Sequence, residues 1–318
     1  MSTPSATAIL LLAHGSPESP ADVPEFLRHV TGGRPLPSAA VEEIQRRYAA
    51  IGRSPLTEIT LRQGQALAGL LKTPVYVGMR NWEPFIAEAV RQMADAGVTH
   101  AVAICLAPQN SRTSVGLYQR AAEEAAAGRV GLDFVESWYD HPLLIRAFAG
   151  KLEAGWKRAC AECGATVPVI FTAHSVPERT IAEGDPYAQQ ARETAAMVAM
   201  QVPSLAVDDW TFAFQSQGMW GRPWLGPTVE ETIRALGEKG HRGVFVQPIG
   251  FVCDHVEVLY DIDIGFRQFA GKHGMQLWRA ESLNDSPTFI AALGEVARSR
   301  LTPPEEARPN IVQISGIQ

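Results

Sequence analysis

The chain has 318 residues, a length that suits two domains of about 150 residues better than a single core. Its composition is that of an ordinary globular protein, with 46% apolar and 19% charged residues. The formal net charge of −6 argues against nucleic acid as a partner.

Short apolar runs bounded by turn residues predict strands at 8–13, 74–79, 100–107, 132–137, 167–173, 210–215, 244–250 and 275–279. Helical segments are predicted between them, at 22–30, 39–50, 57–71, 83–96, 116–127, 142–159, 186–200, 228–238, 255–270 and 286–300. This alternation predicts an α/β fold with parallel sheets covered by helices on both faces. We place one doubly wound, Rossmann-like domain at 1–150 and a second at 151–318, whose last helix is expected to pack back on the first.

The second half of the chain repeats features of the first. "AHGSPE" at 13–18 matches "AHSVPE" at 173–178, and each follows a short apolar run. The segment at 96–108 resembles that at 239–251 in its order of glycine, apolar strand and proline. Two domains of one plan would place both histidines at the carboxyl ends of strands, where open α/β sheets bind ligands. We therefore expect the site in a cleft between the domains.

The sequence gives little indication of a membrane segment, of secretion or of a cysteine metal site. No apolar run approaches the roughly 20 residues that span a bilayer, and the N-terminus lacks the pattern of a secretory signal. We expect a cytoplasmic protein without an integral membrane segment. Cys105 and Cys253 lie in apolar runs and are expected to be buried thiols, whereas Cys160 and Cys163 form a lone C-x-x-C without the second pair of a metal site.

Two clusters carry groups suited to chemistry. His174 ends the run "VIFTAH", where an imidazole can serve as a base, as a ligand or only as a loop residue. The run "GFVCDHVEVLYDID" (250–263) places Glu257 and Asp261 four residues apart, on one face of a predicted helix. Asp254 suits the N-cap of that helix. Carboxylates with imidazole suit Fe(II) or Zn(II), although a solvated acidic face is the alternative.

Two further segments carry aromatic and basic residues. In "WTFAFQSQGMWGRPWLGP" (210–227), the tryptophans are candidates for the core or for the wall of a flat ligand site. Arg80, in "YVGMRNWEP" (76–84), is one of several arginines suited to bidentate contact with carboxylates. The chain contains neither a P-loop nor a G-x-G-x-x-G motif.

Taken together, these segments resemble the ferrochelatases, which insert ferrous iron into a porphyrin. The resemblance runs over about residues 8–296 and includes "AHSVPER", "GDPY", "PWLGP" and "DHVEVLY". It implies two Rossmann-like domains, the chelatase fold, with a porphyrin cleft between them. "RYAAIGRSPL" and "FVESWYD" resemble most the bacterial coproporphyrin III ferrochelatases.

The resemblance also implies roles for particular residues. His174 and Glu257 match the catalytic pair, and Asp261 matches an acid of the proposed metal track. Candidate metal-contacting residues are therefore His174, Glu257, Asp261 and His14. Candidate porphyrin-binding residues are His14, Arg34, Arg47, Tyr48, Ser54, Arg80, Ser111, Arg112, Gln215, Ser216 and Trp220.

Two positions depart from the family pattern. Position 14 is often tyrosine in the coproporphyrin enzymes but is His14 here, and imidazole is the stronger Fe(II) ligand. Gly265 stands where some relatives carry a further acid, which shortens the metal track. No cysteine cluster occurs near the C-terminus, so we expect no iron–sulfur cluster and no other cofactor, with Fe(II) as a substrate. We expect a monomer whose partners are porphyrin, iron and possible neighbouring enzymes of haem synthesis.

Metallation requires a bent macrocycle, the loss of two pyrrole protons and a partly dehydrated Fe(II). His174 is our candidate for the proton acceptor, with Glu257 holding it or relaying protons. The pair also suits first ligands of the iron, and both roles use neutral imidazole. Three alternatives stay open: the same reaction on protoporphyrin IX, a haem-binding protein without turnover, and a cobalt or sirohydrochlorin chelatase. Chain length and the motifs of the second half argue against the last.

Overall fold

The computed structural model describes residues 6–218 and 223–301. In these ranges, eight strands form two four-stranded parallel sheets. The first has the strand order β2-β1-β3-β4 and contains β1 (Ala6–Ala13), β2 (Val75–Met79), β3 (Val98–Cys105) and β4 (Gly131–Val135). The second has the order β6-β5-β7-β8 and contains β5 (Val169–His174), β6 (Trp210–Gln215), β7 (Gly243–Pro248) and β8 (Gln276–Arg279). The predicted α/β fold with two similar sheets is confirmed.

The two sheets have the same strand order, which explains the repeat in the sequence. β1 and β5 hold equivalent places, as do β3 and β7. The Ala-His pairs at 13–14 and 173–174 both stand at the carboxyl end of the equivalent strand. The side chains of Ala8 to Leu12 are fully buried, because a central parallel strand is covered on both faces.

Helices cover both sheets in the described part of the chain. They are α1 (Val23–Val30), α2 (Ser38–Ile51), α3 (Leu56–Leu71), α4 (Ile86–Asp95), α5 (Val115–Ala126), α6 (Pro142–Cys163), α7 (Glu178–Ala182), α8 (Tyr187–Met200), α9 (Val229–Glu238), α10 (Val256–Leu259), α11 (Arg267–Lys272) and α12 (Pro287–Leu301). The short helix α7 was not predicted from the sequence, and α4 begins three residues later than predicted. No helix in the described ranges is long and apolar enough to cross a membrane.

The predicted continuous helix at 255–270 was wrong. A π-helical segment, Asp261–Phe266, separates α10 from α11. The amides of Ile264 and Gly265 both donate to the Tyr260 carbonyl, at 3.1 and 2.8 Å, which widens the turn. Glu257 lies in α10 and Asp261 begins the π-helical segment, so the two carboxylates belong to different helical elements.

The predicted N-cap at Asp254 was also wrong. His255 is the N-cap residue of α10, and its side chain makes no capping hydrogen bond. The Asp254 carboxylate instead accepts from Ser282 Oγ at 2.7 Å and from Asn284 Nδ2 at 2.9 Å. The Asp254 carboxylate is therefore bound by side chains of the loop after β8 and does not cap the helix.

The two halves share one apolar core. The proposed boundary between residues 150 and 151 falls inside α6, which runs without a break from Pro142 to Cys163. The largest buried cluster contains side chains from both sheets, among them Ile9 and Phe245. Helix α12 packs against the first half, where a Cβ on Gly294 would lie 2.8 Å from Leu70 Cδ2.

A polar seam joins the loop after β3 to the second half. Gln109 Nε2 donates to the Ile249 carbonyl and to Thr194 Oγ1, both at 3.1 Å. Ser111 Oγ donates to Asp185 at 3.1 Å, and the Arg112 amide donates to the same carboxylate at 2.8 Å. These buried contacts hold the carboxyl ends of the two sheets in a defined relation.

Candidate active site

Both strand-exit histidines lie at the carboxyl edge of their sheets. His174 is the last residue of β5, and His14 directly follows β1. In each sheet this strand lies beside the point where the strand order reverses, which is the usual ligand site of open α/β sheets. The charges of His174 and Glu257 both act on the His14 imidazole, so residues of the two halves meet in one crevice.

Glu257 lies between two imidazoles. Its Oε1 is 3.4 Å from His174 Nε2, and its Oε2 is 3.3 Å from His255 Nε2. The His174 and Glu257 side chains are each 34% exposed, so both reach the open crevice, whereas His255 is more enclosed. The predicted catalytic pair is thus in direct contact, although it comes from two different strand exits.

Backbone carbonyls determine which ring nitrogens carry hydrogen. His174 Nδ1 lies 2.5 Å from the Ser175 carbonyl, and His255 Nδ1 lies 3.0 Å from the Cys253 carbonyl. Because a carbonyl only accepts, each Nδ1 is the donor. A neutral ring would then direct the lone pair of Nε2 at the carboxylate, which is repulsive. A further proton between an imidazole and Glu257 removes this repulsion.

The electrostatics assign that proton to His174. Burial opposes its charge, but the Glu257 carboxylate outweighs burial and raises the pKa of His174 to about 9. In turn, burial favours the neutral form of Glu257, yet the His174 charge holds the pKa of this carboxyl well below its usual range. In the free protein at neutral pH, the pair is therefore an imidazolium and a carboxylate.

A glycine allows the loop after β7 to approach β5. A Cβ at Gly250 would lie 2.8 Å from the Cβ of Ala173, closer than real atoms pack. From β6, Gln215 Nε2 donates to the Glu257 carbonyl at 2.9 Å and supports the start of α10. The exits of β5, β6 and β7 together place the Glu257 side chain against His174.

Asp261 is already paired. Its Oδ1 lies 3.2 Å from Arg47 Nη1, and its Oδ2 accepts from Ser216 Oγ at 2.5 Å. Burial raises the pKa of Asp261, and the Ser216 hydrogen bond only partly offsets this effect. The sequence placed Arg47 and Ser216 at the porphyrin and Asp261 on a metal track. The structure instead brings all three together at the side of the crevice.

His14 is held beneath an amide. Asn81 Nδ2 lies 3.2 Å from His14 Nδ1 and 3.3 Å from His14 Nε2. An in-plane hydrogen bond to one nitrogen would make these distances clearly unequal, so the amide lies over the ring face. Phe26 meets the ring edge-on at 5.7 Å. An edge of His14 remains accessible, yet the dense surroundings lower its pKa to about 4, against the effect of Glu257.

Aromatic rings surround the catalytic pair. Phe251 and Trp224 lie 6.5 and 6.4 Å from the His174 ring, between centroids. Phe251 also packs edge-on against His255 at 4.7 Å. The buried Trp224 Nε1 has no hydrogen-bond partner within the described ranges. The surroundings are therefore apolar, which strengthens the interaction between His174 and Glu257.

Several other candidate porphyrin residues lie in or near the first half of the crevice. Tyr48 is buried and shares a 3.2 Å hydrogen bond with Ser16 Oγ. The Arg80 guanidinium lies 5.6 Å above the Tyr118 ring, and its charge acts on His14. Ser54 Oγ, Arg80 Nε and Gln215 Oε1 are buried polar atoms without a partner among the described residues.

Three candidates make no contact with this group. Ser111 and Arg112 are engaged in the seam, where the Arg112 guanidinium donates to Glu183 and to the Thr180 carbonyl. Arg34 is exposed in the loop after α1 and donates to the Thr31 carbonyl at 3.2 Å. Trp220 lies outside the described residues.

His255 and Asn81 are the residues that the sequence did not select for the site. His255 lies in the run at 250–263 that contains Glu257 and Asp261, but only the fold shows its contact with Glu257. Asn81 belongs to no motif that indicates a site, apart from its position next to Arg80. No group of three or more His, Cys, Asp or Glu side chains in the described ranges is arranged to hold a metal ion. Two open cavities, of about 560 Å³ beside α9 and about 530 Å³ beside α5, lie away from His174.

The cysteines take no part in the site. Cys105 and Cys253 are buried, as predicted, and Cys160 and Cys163 are partly exposed. All four are free thiols. The expectation that the protein carries no iron–sulfur cluster stays a prediction.

A likeness to known structures supports the fold. SirB from Bacillus subtilis, solved with Fe3+, is 12% identical in sequence and superimposes with a TM-score of 0.56. The match covers 92% of this chain and 95% of SirB. CbiX, described as the terminal enzyme of sirohaem biosynthesis in denitrifying bacteria, gives a TM-score of 0.54 at 16% identity, over 93% of this chain and all of CbiX.

Sequence comparison identifies the family. A protein of Acidobacterium capsulatum named ferrochelatase is 54% identical over 308 residues, which covers 92% of this chain and 94% of the relative. A protein of Geobacillus sp. (strain WCH70) named coproporphyrin III ferrochelatase is 37% identical, over 92% and 97% of the two chains. The ferrochelatase family model matches residues 6–301. The chain therefore belongs to the ferrochelatase family.

Proposed function

We propose that this ferrochelatase inserts Fe(II) into coproporphyrin III, with His174 and Glu257 as its catalytic residues. Family membership makes a porphyrin and iron its substrates. One observation carries the assignment of the site: the Glu257 carboxylate contacts His174 from a different strand exit, inside an aromatic crevice between two similar sheets. Relatives named coproporphyrin III ferrochelatase, 35–38% identical to this chain, support the choice of substrate.

Unused hydrogen-bonding groups also favour a carboxylate-rich substrate. Arg47 is half-buried, and its hydrogen bonds to described residues use Nε and Nη1 only, which leaves Nη2 for a ligand. Ser54 Oγ and Arg80 Nε have no partner among the described residues. Buried polar atoms rarely remain unpaired, so such groups need an explanation. Carboxylates at the rim of coproporphyrin III, four against two in protoporphyrin IX, would meet this need.

The proton route follows from the ring nitrogens. His174 Nδ1 is committed to the Ser175 carbonyl, so only Nε2 exchanges protons with a ligand. Before Nε2 accepts a pyrrole proton, its own proton must leave, and Glu257 is the group in contact with it. We therefore assign His174 as the base and Glu257 as the relay. His255 Nε2 lies 3.3 Å from the second oxygen of Glu257, so its ring borders the carboxylate on that side.

The substrate is tested by following absorption while the purified chain, anaerobic Fe(II) and one porphyrin are mixed. We expect kcat/KM for coproporphyrin III to exceed that for protoporphyrin IX by at least about tenfold, since a site built to pair polar groups rejects a substrate that lacks them. Equal or faster insertion into protoporphyrin IX would contradict the choice of substrate. Haem binding without any metal insertion would contradict the assignment of this protein as an enzyme.

Removal of the proposed base should separate chemistry from binding. His174→Ala is expected to lower the insertion rate by at least about 100-fold, because a positioned base contributes a factor of that order. Porphyrin binding, measured by fluorescence quenching, should change little. The exposed His273 provides the matched control, and His273→Ala should insert iron at the normal rate. Full activity in His174→Ala would end the assignment.

The ionisation of the pair can be measured directly. In the free protein, the His174 ring should lose its proton near pH 9, because the Glu257 charge raises its pKa above the ordinary 6.5. In Glu257→Gln the carboxylate no longer raises the pKa of His174, while burial still lowers it, so the titration should move well below that of the wild type. Histidine-ring NMR follows both titrations, with the signal assigned by its loss in His174→Ala. A wild-type titration at or below the ordinary value would show that the two groups do not form an ion pair.

His14 is proposed as an axial ligand of the product haem. The Asn81 amide lies over the ring face, so the in-plane lone pair of a ring nitrogen stays free, and the low pKa keeps the ring neutral. His14→Ala should therefore weaken haem retention more than turnover. The visible spectrum of bound haem and its dissociation rate report the effect. An unchanged haem spectrum would argue against axial ligation.

A further inference from the structure

One ion pair at the side of the crevice joins the two halves of the chain. Arg47 stands on α2 in the first half, and Asp261 stands in the π-helical segment, 214 residues later. Arg47 Nη1 lies 3.2 Å from Asp261 Oδ1, and the guanidinium carbon lies 5.2 Å from the centroid of the Tyr260 ring. Both residues belong to the sets that we assign to the substrates, Arg47 to the porphyrin and Asp261 to the metal.

The two partners differ in exposure. The Arg47 side chain is 34% exposed, whereas that of Asp261 is 11% exposed. A carboxylate at the porphyrin rim can therefore reach the guanidinium without first entering the space around Asp261. Arg47 itself loses little in an exchange of partners, because its side chain is partly exposed and gains a new carboxylate, whereas the cost falls on the nearly buried Asp261.

The neighbouring charges determine which partner is released. Arg47 Nε also contacts Glu43 Oε1 at 3.0 Å, but Glu43 has a second cation, Arg46, at 2.7 Å. Asp261 has no second ion-pair partner in direct contact among the described residues: the Ser216 hydroxyl is neutral, and the His174 charge acts on Asp261 only from a distance. When a third carboxylate binds Arg47, Asp261 is the one left without adequate compensation.

Once it is released from Arg47, the Asp261 carboxylate favours the binding of a cation. Asp261 is nearly buried, so water compensates its charge poorly. Its charge already acts on His174, which shows that it lies within electrostatic reach of the catalytic pair. A hard divalent ion is the complementary partner for such an oxygen ligand.

We propose that Arg47 couples the two substrates: a porphyrin carboxylate draws the guanidinium away from Asp261, and the released carboxylate then favours the divalent metal. This proposal rests on the proposed function, since it requires a porphyrin with carboxylates at its rim. In consequence, the porphyrin raises the affinity for the metal, and by linkage the metal raises the affinity for the porphyrin.

The test measures metal affinity with and without a porphyrin that cannot be metallated. Zn(II) coproporphyrin III has a filled centre and is diamagnetic, and Mn(II) serves as the metal probe because free Mn(II) is counted by electron paramagnetic resonance. The intact chain should bind Mn(II) at least about fivefold more tightly when Zn(II) coproporphyrin III is bound. The uncharged tetramethyl ester, in the same detergent, should give no such gain.

Variants separate the coupling from the sites themselves. Arg47→Met should bind Mn(II) more tightly than the wild type in the absence of porphyrin, and the porphyrin should add nothing. Asp261→Asn should lose the gain and keep the weak affinity. The control is Arg53→Met, because Arg53 forms an exposed pair with Glu18 and has no contact with Asp261. It should behave as the wild type.

The outcomes distinguish a failure of the coupling from a failure of the proposed function. Equal Mn(II) affinity with and without visibly bound Zn(II) coproporphyrin III would overturn the coupling and leave the proposed function intact. Absence of any absorption shift on adding the porphyrin would overturn the proposed substrate, and the coupling with it. A gain that persists in Arg47→Met would show that the porphyrin acts through another group.

Discussion

The chemistry of this site depends on one carboxylate held between two imidazoles. Glu257 contacts His174 and His255, and each ring donates its other nitrogen to a backbone carbonyl. The carbonyls fix both rings, so neither imidazole can turn to relieve the repulsion between a lone pair and a carboxylate. A retained proton is the solution that this geometry permits. It makes the resting site an ion pair, ready to exchange that proton.

Duplication of the sheet supplied two equivalent histidines, and their surroundings made them different. His174 meets a carboxylate and becomes more basic, whereas His14 lies beneath the Asn81 amide and stays neutral. An ionised ring and a neutral ring suit different tasks, proton transfer for the first and metal ligation for the second. The same strand position thus gives two imidazoles with opposite pKa shifts, because the groups that face each strand end come from different parts of the chain.

Polar contacts between the halves are of two kinds: buried hydrogen bonds and a partly exposed ion pair. The seam around Asp185 is buried and uses several hydrogen bonds, among them those from Ser111 and from the Arg112 amide. The bridge between Arg47 and Asp261 is a partly exposed ion pair at the side of the crevice. The candidate substrate contacts from the sequence thus occur in two settings. Ser111 and Arg112 join the halves in the seam, whereas Arg47 and Asp261 form a partly exposed pair with each other.

Sequence alone determined the α/β class and the repeated plan, and it selected His174 and Glu257 as candidates, because strand periodicity and the motifs at strand ends are local properties. It did not determine the π-helical segment, the true partners of Asp254 or the pairing of Asp261 with Arg47. Local spacing predicts a regular helix at 255–270, whereas the structure has a π-helical segment at Asp261–Phe266. The Arg47–Asp261 bridge joins residues 214 positions apart, and the His174–Glu257 pair joins β5 and α10 of the second half; neither contact carries a local signal, so tertiary packing decided both.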